Sequence, residues 1–372
     1  MINYFSNLIR NFSLIFKKFD AIVYFEYSSD INHLHLIVEE LKKFKKLKLV
    51  FLHSEPLTIS KNQKNTDSYY ISNGIFRTFL FNLIHSKIFI LTMTDIDNSY
   101  LKKSIFCDNY IYIFHSLLST HMGYLEKAFD NYNTVLCCGN YQIQEIKKRE
   151  KIYNLQKKNL IPFCHSRIHA MKKLKKKKKI NQKIIVTSTW GENSISEKVQ
   201  RNFFENLLDA GFEVFYQMHK MSEKRKTKFL FDPQDVKKKY KTFNYSFEYQ
   251  SINSLSDYSL MISDWSGAAH EFCFGFRKPV VFLDLEKKIR NPNYNSLDIE
   301  PFEVKIRKKI GKIIKLKDCD NMIIIIKKLL KLSKDKSWDN KIMKIEKEFL
   351  FNYQFTQKKV FKFLIDQLGI NA

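Results

Sequence analysis

The chain has 372 residues, 64 Lys+Arg against 38 Asp+Glu, and a formal net charge of +26. At roughly 100–200 residues per domain the length predicts two domains. With 44% hydrophobic and 15% aromatic residues, wholesale disorder and collagen-like, disulfide-framework and low-complexity classes are excluded.

No apolar run reaches the ~18–20 residues of a membrane span. The N-terminus lacks a basic segment and a small-residue cleavage site, so no signal peptide is expected. Cys107, Cys137, Cys138, Cys164, Cys273 and Cys319 are scattered, with no C-x-x-C pair. They predict reduced, mostly buried thiols of a cytoplasmic protein and argue against zinc. Only nine of the 64 basic residues are Arg. With Ile, Asn, Phe and Tyr abundant and Ala and Gly scarce, the excess of Lys over Arg is the skew expected of an AT-rich coding sequence. The positive field still favours anionic partners: nucleotide phosphates, phosphate-bearing polymers or an acidic lipid surface. Nucleic acid is disfavoured, because Arg is the usual base-reading residue.

Short apolar runs alternate with amphipathic segments along the first half. Strands are predicted at Ala21–Phe25, Leu49–Leu52, Ile88–Leu91, Tyr110–Phe114 and Thr134–Cys138. Helices are predicted at Asn32–Phe44, Phe76–Ile84, Gly123–Phe129 and Tyr141–Glu150. Continuous apolar strands separated by helices predict a parallel sheet covered on both faces. Lys172 to Lys179 then holds seven lysines in eight positions. It reads as a solvated linker or as a basic patch facing phosphates or lipid, and in either case as a boundary.

The second half repeats the rhythm. Strands are predicted at Lys183–Thr187, Glu213–Tyr216, Ser259–Ile262 and Pro279–Leu283, with a helix over Ser196–Ala210 closed by Gly211. A short helix at Ser251–Tyr258, one from Gly267 and a helical basic tail from Asn321 follow, its last helix being Phe355–Leu368. The predicted class is α/β: two Rossmann-like parallel-sheet domains facing across a cleft, with C-terminal helices. Its parts are residues 1–171, a lysine-rich linker 172–182, a second domain 183–338, and helices 339–372 packing back toward the first domain. Ligands of open α/β sheets bind at the carboxyl ends of the strands.

Three segments fall at such ends. In Ser263-Asp264-Trp265-Ser266-Gly267-Ala268-Ala269-His270-Glu271 a strand runs into a small-residue turn opening a helix, which suits an anion. Ser266 is equally a plain N-cap, and Glu271 either accepts from ribose hydroxyls or favours the helix dipole. In His115-Ser116-Leu117-Leu118-Ser119-Thr120-His121, a neutral His115 or His121 is a candidate general base, or both are ordinary loop histidines. In Tyr216-Gln217-Met218-His219-Lys220, His219 is placed to neutralise a leaving phosphate, or is a surface histidine. Thr189, after the first strand of the second half, is a candidate phosphate-facing hydroxyl. His165 and His169 have no spacing argument and read as structural. P-loop, G-x-G-x-x-G, G-x-S-x-G and H-E-x-x-H patterns do not occur.

Together these segments resemble the CDP-glycerol glycerophosphotransferase family, the teichoic-acid primase- and polymerase-like group of GT-B transferases. Ser263-Asp264-Trp265-Ser266-Gly267 with the downstream Arg277-Lys278-Pro279-Val280-Val281-Phe282 is similar to that family's S/T-D-Y-S-S segment and K-P-I-I-F strand. Ile185 to Trp190 is similar to its P-T-W strand. Met218-His219 stands where R-P-H would fall, and Phe114-His115-Ser116 where W-H-G would. The resemblance covers about residues 105–290. The glycine after the first His is Ser116 here, the T-P-L-K continuation is missing, and Gln217 and Met218 replace Arg and Pro.

The resemblance implies His115, shared with or replaced by His121, as base. It sets His219, Ser263, Asp264, Ser266 and Gly267 toward the diphosphate of a nucleotide-activated donor, with Thr189 and Glu271 as further donor-side candidates by their positions. It implies direct displacement by a polymer or lipid-linked hydroxyl, on phosphorus for a glycerophosphate donor or on the anomeric carbon for a nucleotide sugar. No metal and no separate cofactor are implied. A non-catalytic basic anion-binding protein is the contrasting expectation.

Phe5, Leu8, Ile9, Phe12, Ile15 and Phe16 recur at helical spacing beside Arg10, Lys17 and Lys18. Residues 1–18, with the lysine runs, thus present either an interfacial helix for an anionic membrane or a first helix packing on the sheet. The expected location is cytoplasmic, peripheral on the inner face of the membrane if that helix is interfacial.

Overall fold

The computed structural model describes residues 11–56, 66–98, 101–174 and 181–370. The first lobe is built on β1 (Lys18–Phe25), β2 (Leu49–His53), β3 (Thr66–Tyr70), β4 (His85–Leu91), β5 (Cys107–Ile113), β6 (Thr134–Cys137) and β7 (Asn159–Pro162). They form one parallel sheet in the order β3-β2-β1-β4-β5-β6-β7. Its helices include α1 (Ile31–Leu41), α2 (Ile75–Leu83) and α3 (Asn140–Ile152). The strand order reverses between β1 and β4, where doubly wound sheets leave a crevice.

In the second lobe β8 (Lys183–Thr187), β9 (Glu213–Gln217), β10 (Phe243–Ser246), β11 (Leu260–Ser263), β12 (Val280–Leu283) and β13 (Gly311–Ile314) form a parallel sheet in the order β10-β9-β8-β11-β12-β13. The two-sheet α/β architecture expected from the sequence is present.

The central strands are the ones visible in the sequence, because helices cover both faces and force continuous apolar runs. All five residues of β2 and all four of β11 and β12 are buried. The strands that were not anticipated, β3, β7, β10 and β13, are all edge strands. Their half-exposed sequences, such as Thr66-Asp67-Ser68-Tyr69-Tyr70, carry no such run.

Two expected helices differ. Residues 123–129 form turns. The stretch 196–210 is two pieces, α5 (Ile195–Lys198) and α6 (Arg201–Asp209), broken where Val199 and Gln200 are extended. Gly211 closes the second with φ +86°, a conformation side chains disfavour.

The lobes are joined through α4 (Ser166–Lys173), which takes in the first two lysines of the expected linker; residues 175–180 lie outside the described residues. Met171 of α4 packs against Gly275 of α10 (Gly267–Phe276), where a side chain at 275 would collide with it. The short helices α8 (Pro233–Lys239) and α9 (Ile252–Leu255) flank β10; later, α11 (Phe302–Ile310) precedes β13, and three helices follow it, α12 (Met322–Leu332), α13 (Lys336–Phe349) and α14 (Tyr353–Leu368). Val360, Phe363, Leu364 and Leu368 of α14 bury themselves in the first lobe's core with Leu34, Ile37 and Ile88. No helix among the described residues is long and apolar enough to cross a membrane. Cys107, Cys137, Cys138, Cys164 and Cys273 are free thiols.

Candidate active site

The loop after β5 faces the second lobe. His115 is exposed yet hemmed in by protein, and this crowding lowers its pKa, with the Thr92 carbonyl opposing. Its Nδ1 lies 3.1 Å from that carbonyl oxygen. A carbonyl only accepts, so Nδ1 carries the proton and the neutral ring keeps a lone pair on Nε2. The next residue, Ser116, packs its Oγ into the space a Cβ at Gly267 would occupy. The His270 ring then donates from Nδ1 to the Leu117 carbonyl at 2.9 Å. A further bond joins the lobes from Arg290 N–H to the Met122 carbonyl, at 2.9 Å.

Opposite this loop, the turns after β8, β9 and β12 converge. His219 begins the short helix α7 (Lys220–Lys224), and its Nδ1 accepts from the Met221 N–H at 3.0 Å. That nitrogen is therefore unprotonated, and the proton of the neutral ring is on Nε2, 3.2 Å from the Tyr249 hydroxyl. Burial, Lys288 and His115 push the His219 pKa down to about 3. The two histidines thus offer complementary groups from opposite lobes: a lone pair on His115 and an N–H on His219.

Trp190, beside Thr189, is ringed by cations. Lys288 Nζ lies 4.1 Å from its ring centroid, Arg225 4.5 Å and Arg290 4.9 Å. Lys288 also donates to Thr189 Oγ1 at 2.6 Å. Burial pushes the Lys288 pKa down to about 7, with Asp264 opposing and the two arginines adding to the fall. Clustered cations on an aromatic face, one of them short of counter-charge, suit a phosphate or diphosphate. Sequence reading named Trp190 only within the segment similar to a P-T-W strand, and passed over Arg225, Lys288 and Arg290. Lys287-Lys288-Ile289-Arg290 is one basic run among many, and only the fold turns it toward Trp190.

The other expected residues occupy different positions. Asp264 is 0% exposed, so it does not face a ligand. Its carboxylate accepts from Thr189 N–H at 2.9 and 3.0 Å and from Ile195 N–H at 3.0 Å. It fixes the loop that presents Thr189 and Trp190. Burial raises its pKa, against these bonds and the charges of Lys288 and Arg307. Ser263 is also 0% exposed. It accepts from Thr187 Oγ1 at 2.9 Å and donates to the Thr187 carbonyl at 3.1 Å, tying β11 to β8. Ser266 is the N-cap of α10 and accepts from Ala268 N–H at 3.3 Å. Gly267, beneath Ser116, is buried.

His121 is not at the cleft. It is 3% exposed, donates from Nε2 to the Ile299 carbonyl at 3.0 Å, and lies 3.5 Å from Glu145. Burial lowers its pKa, but Glu145 and the carbonyl outweigh it and the net shift is upward. Glu271 is buried against the first lobe, accepting from Arg167 Nη1 at 2.7 Å.

No family model matches the chain, and no curated protein sequence matches it. Solved structures do match in shape. The wall teichoic acid polymerase TagF, in a variant soaked with CDPG, superposes with a TM-score of 0.62 at 12% identity, over 99% of this chain and 98% of that one. A UDP-N-acetylglucosamine 2-epimerase gives 0.58 at 11%, over 96% and 98%. A glycosyltransferase from Rickettsia africae gives 0.51 at 11%, over 95% and 100%. Two parallel-sheet lobes in the same order along the chain, matched over nearly its whole length, make this a GT-B fold.

Proposed function

We propose that the protein is a GT-B transferase that moves a group from a nucleotide-activated donor to a hydroxyl of a cell-surface polymer or lipid-linked acceptor. The observation that carries this reading is the pairing of His115 and His219 in opposite tautomers across the cleft, beside the cations around Trp190.

The acceptor O–H gives its proton to His115 Nε2 as its oxygen attacks. With a glycerophosphate donor, the preferred reading, the new bond is O–P and the bond to the nucleoside monophosphate breaks. With a nucleotide sugar, the new bond is O–C1 and the nucleoside diphosphate leaves. His219 Nε2–H, Lys288, Arg225 and Arg290 meet the charge that grows on the leaving phosphate. Asp264 and Ser263 serve as positioning residues beneath this surface. TagF, whose structure is matched over almost the whole chain, was soaked with CDPG, which favours a CDP-linked polyol phosphate as donor.

A membrane-facing surface fits a lipid-linked acceptor. Phe12, Phe16, Ile75 and Phe79 are exposed, Ile75 to 90%, with Phe12 and Phe79 stacked at 6.2 Å and Lys17 and Lys18 adjacent in sequence.

The test is nucleotide release from CDP-glycerol, CDP-ribitol and UDP-sugars, with thermal shifts against CDP, CMP, UDP and GDP. A transferase releases one nucleotide and is stabilised by it. No response to any of them overturns the reading.

A further inference from the structure

Three side chains from distant parts of the chain meet where the lobes touch. His33 lies in the first turn of α1, His165 immediately before α4, and Glu271 one turn into α10. One ligand-capable atom of each lies within 4.8 Å of the others. His165 Nε2 is 3.6 Å from Glu271 Oε1, and the His33 and His165 rings stand edge to face at 5.8 Å.

The polar atoms here are left unfilled. His165 is 3% exposed, and neither of its ring nitrogens has a hydrogen-bond partner among the described residues; His33 Nδ1 is buried and unpartnered too. A buried donor or acceptor without a partner is costly, so a concentration of them marks a place where something binds.

The donor set suits a cation: two imidazoles, each able to present a ring lone pair, face a carboxylate oxygen. Glu271 Oε2 is occupied by Arg167 Nη1 at 2.7 Å, which aims Oε1 at His165, as outer-sphere partners orient metal-binding carboxylates. An anion would meet that carboxylate at close range.

We propose that His33, His165 and Glu271 form a divalent transition-metal site of zinc type bridging the two lobes next to His115. Two imidazoles and one carboxylate are a common three-ligand set that leaves a fourth position open. With ligand bonds near 2.0–2.1 Å, tetrahedral donors stand about 3.3 Å apart. The His165–Glu271 pair is already near that separation, and His33 closes the remaining distance by side-chain rotation. His33 also stands 6.2 Å, ring to ring, from His115. The metal would therefore clamp the lobes around the cleft.

The experiment is titration of chelator-treated full-length protein with Co²⁺, followed by visible absorption, bound-metal mass spectrometry and thermal shift. Wild type is expected to bind one ion with the intense bands of a four-coordinate site, to yield it to Zn²⁺, and to melt higher when loaded. His165→Ala and His33→Gln are each expected to lose the bands and to bind more than about tenfold more weakly. His85→Ala, in the first lobe against Phe106, retains them. If His165→Ala does not fold by circular dichroism, the half-buried His33→Gln decides. Absent stoichiometric binding, or binding unchanged in both variants, overturns the site. The readout is independent of turnover, so failure of the transferase assays leaves it standing.

Discussion

The Ser116 hydroxyl, on the loop that follows β5, occupies the volume a side chain at Gly267 would need at the head of α10. One lobe's candidate base and the other lobe's helix terminus are thereby held side by side. Gly267→Ala would force the added Cβ into Ser116 and move the lobes apart. We expect a fall in turnover of more than about tenfold and a loss of about 1–3 kcal/mol in stability, the usual cost of overpacking. Ser116→Gly in the same chain should restore a large part of both. Steady-state kinetics and thermal denaturation of the single and double variants check this.

His115→Ala and His219→Ala should each lower turnover by about 10²–10⁴-fold, the range for one positioned proton-transfer group, with melting temperatures close to wild type because neither ring is part of a core. His121→Ala should behave differently. It removes a buried partner of Glu145 and should lower the melting temperature. Side-by-side kinetics and melting curves separate the roles.

Nucleotide binding should take up protons above neutral pH. Lys288, with its pKa pushed down to about 7, is largely neutral at pH 8 in the free protein, and a bound diphosphate raises that pKa again. Calorimetry at pH 8 in buffers of different ionisation enthalpy should therefore show uptake. In Lys288→Met the uptake should disappear and affinity should fall.

Glu303 gives the interface a pH signature. It accepts from Ser119 N–H at 2.8 Å and from Ser119 Oγ at 2.9 Å across the lobes, and burial, with Glu145 adding and Ser119 opposing, pushes its pKa up to about 7. The folded state then holds a proton that the unfolded chain releases above its ordinary value of about 4.3. This contribution is full below that value and is lost as pH rises toward 7. Glu303→Gln, whose amide oxygen can take the Ser119 N–H and whose NH₂ can donate to Ser119 Oγ, removes the dependence. The variant should gain on wild type between pH 5 and 8 in melting temperature. A constant difference would refute the assignment.

Much of the site was legible as strand ends. His115 follows β5, Thr189 follows β8, His219 follows β9 and Asp264 follows β11, because a buried parallel strand announces itself by an unbroken apolar run and its carboxyl end by the first polar residues. Spacing could not distinguish a side chain facing the cleft from one facing the sheet. Ser263 and Asp264 turn inward and are spent on Thr187, Thr189 and Ile195, while Lys288 and Arg290 turn inward onto Trp190 from a background rich in solvated lysines.

Local pattern determined the two α/β halves and the strand termini on which chemistry is displayed, since hydrophobic periodicity is a property of neighbouring residues. Tertiary structure alone decided that His121 belongs to Glu145 instead of the cleft, and that positions 33, 165 and 271 converge. The first contact depends on how the loop after β5 folds back onto α3, and the second on how one lobe is set against the other, a relation that the packing of α4 and α14 sets across the length of the chain.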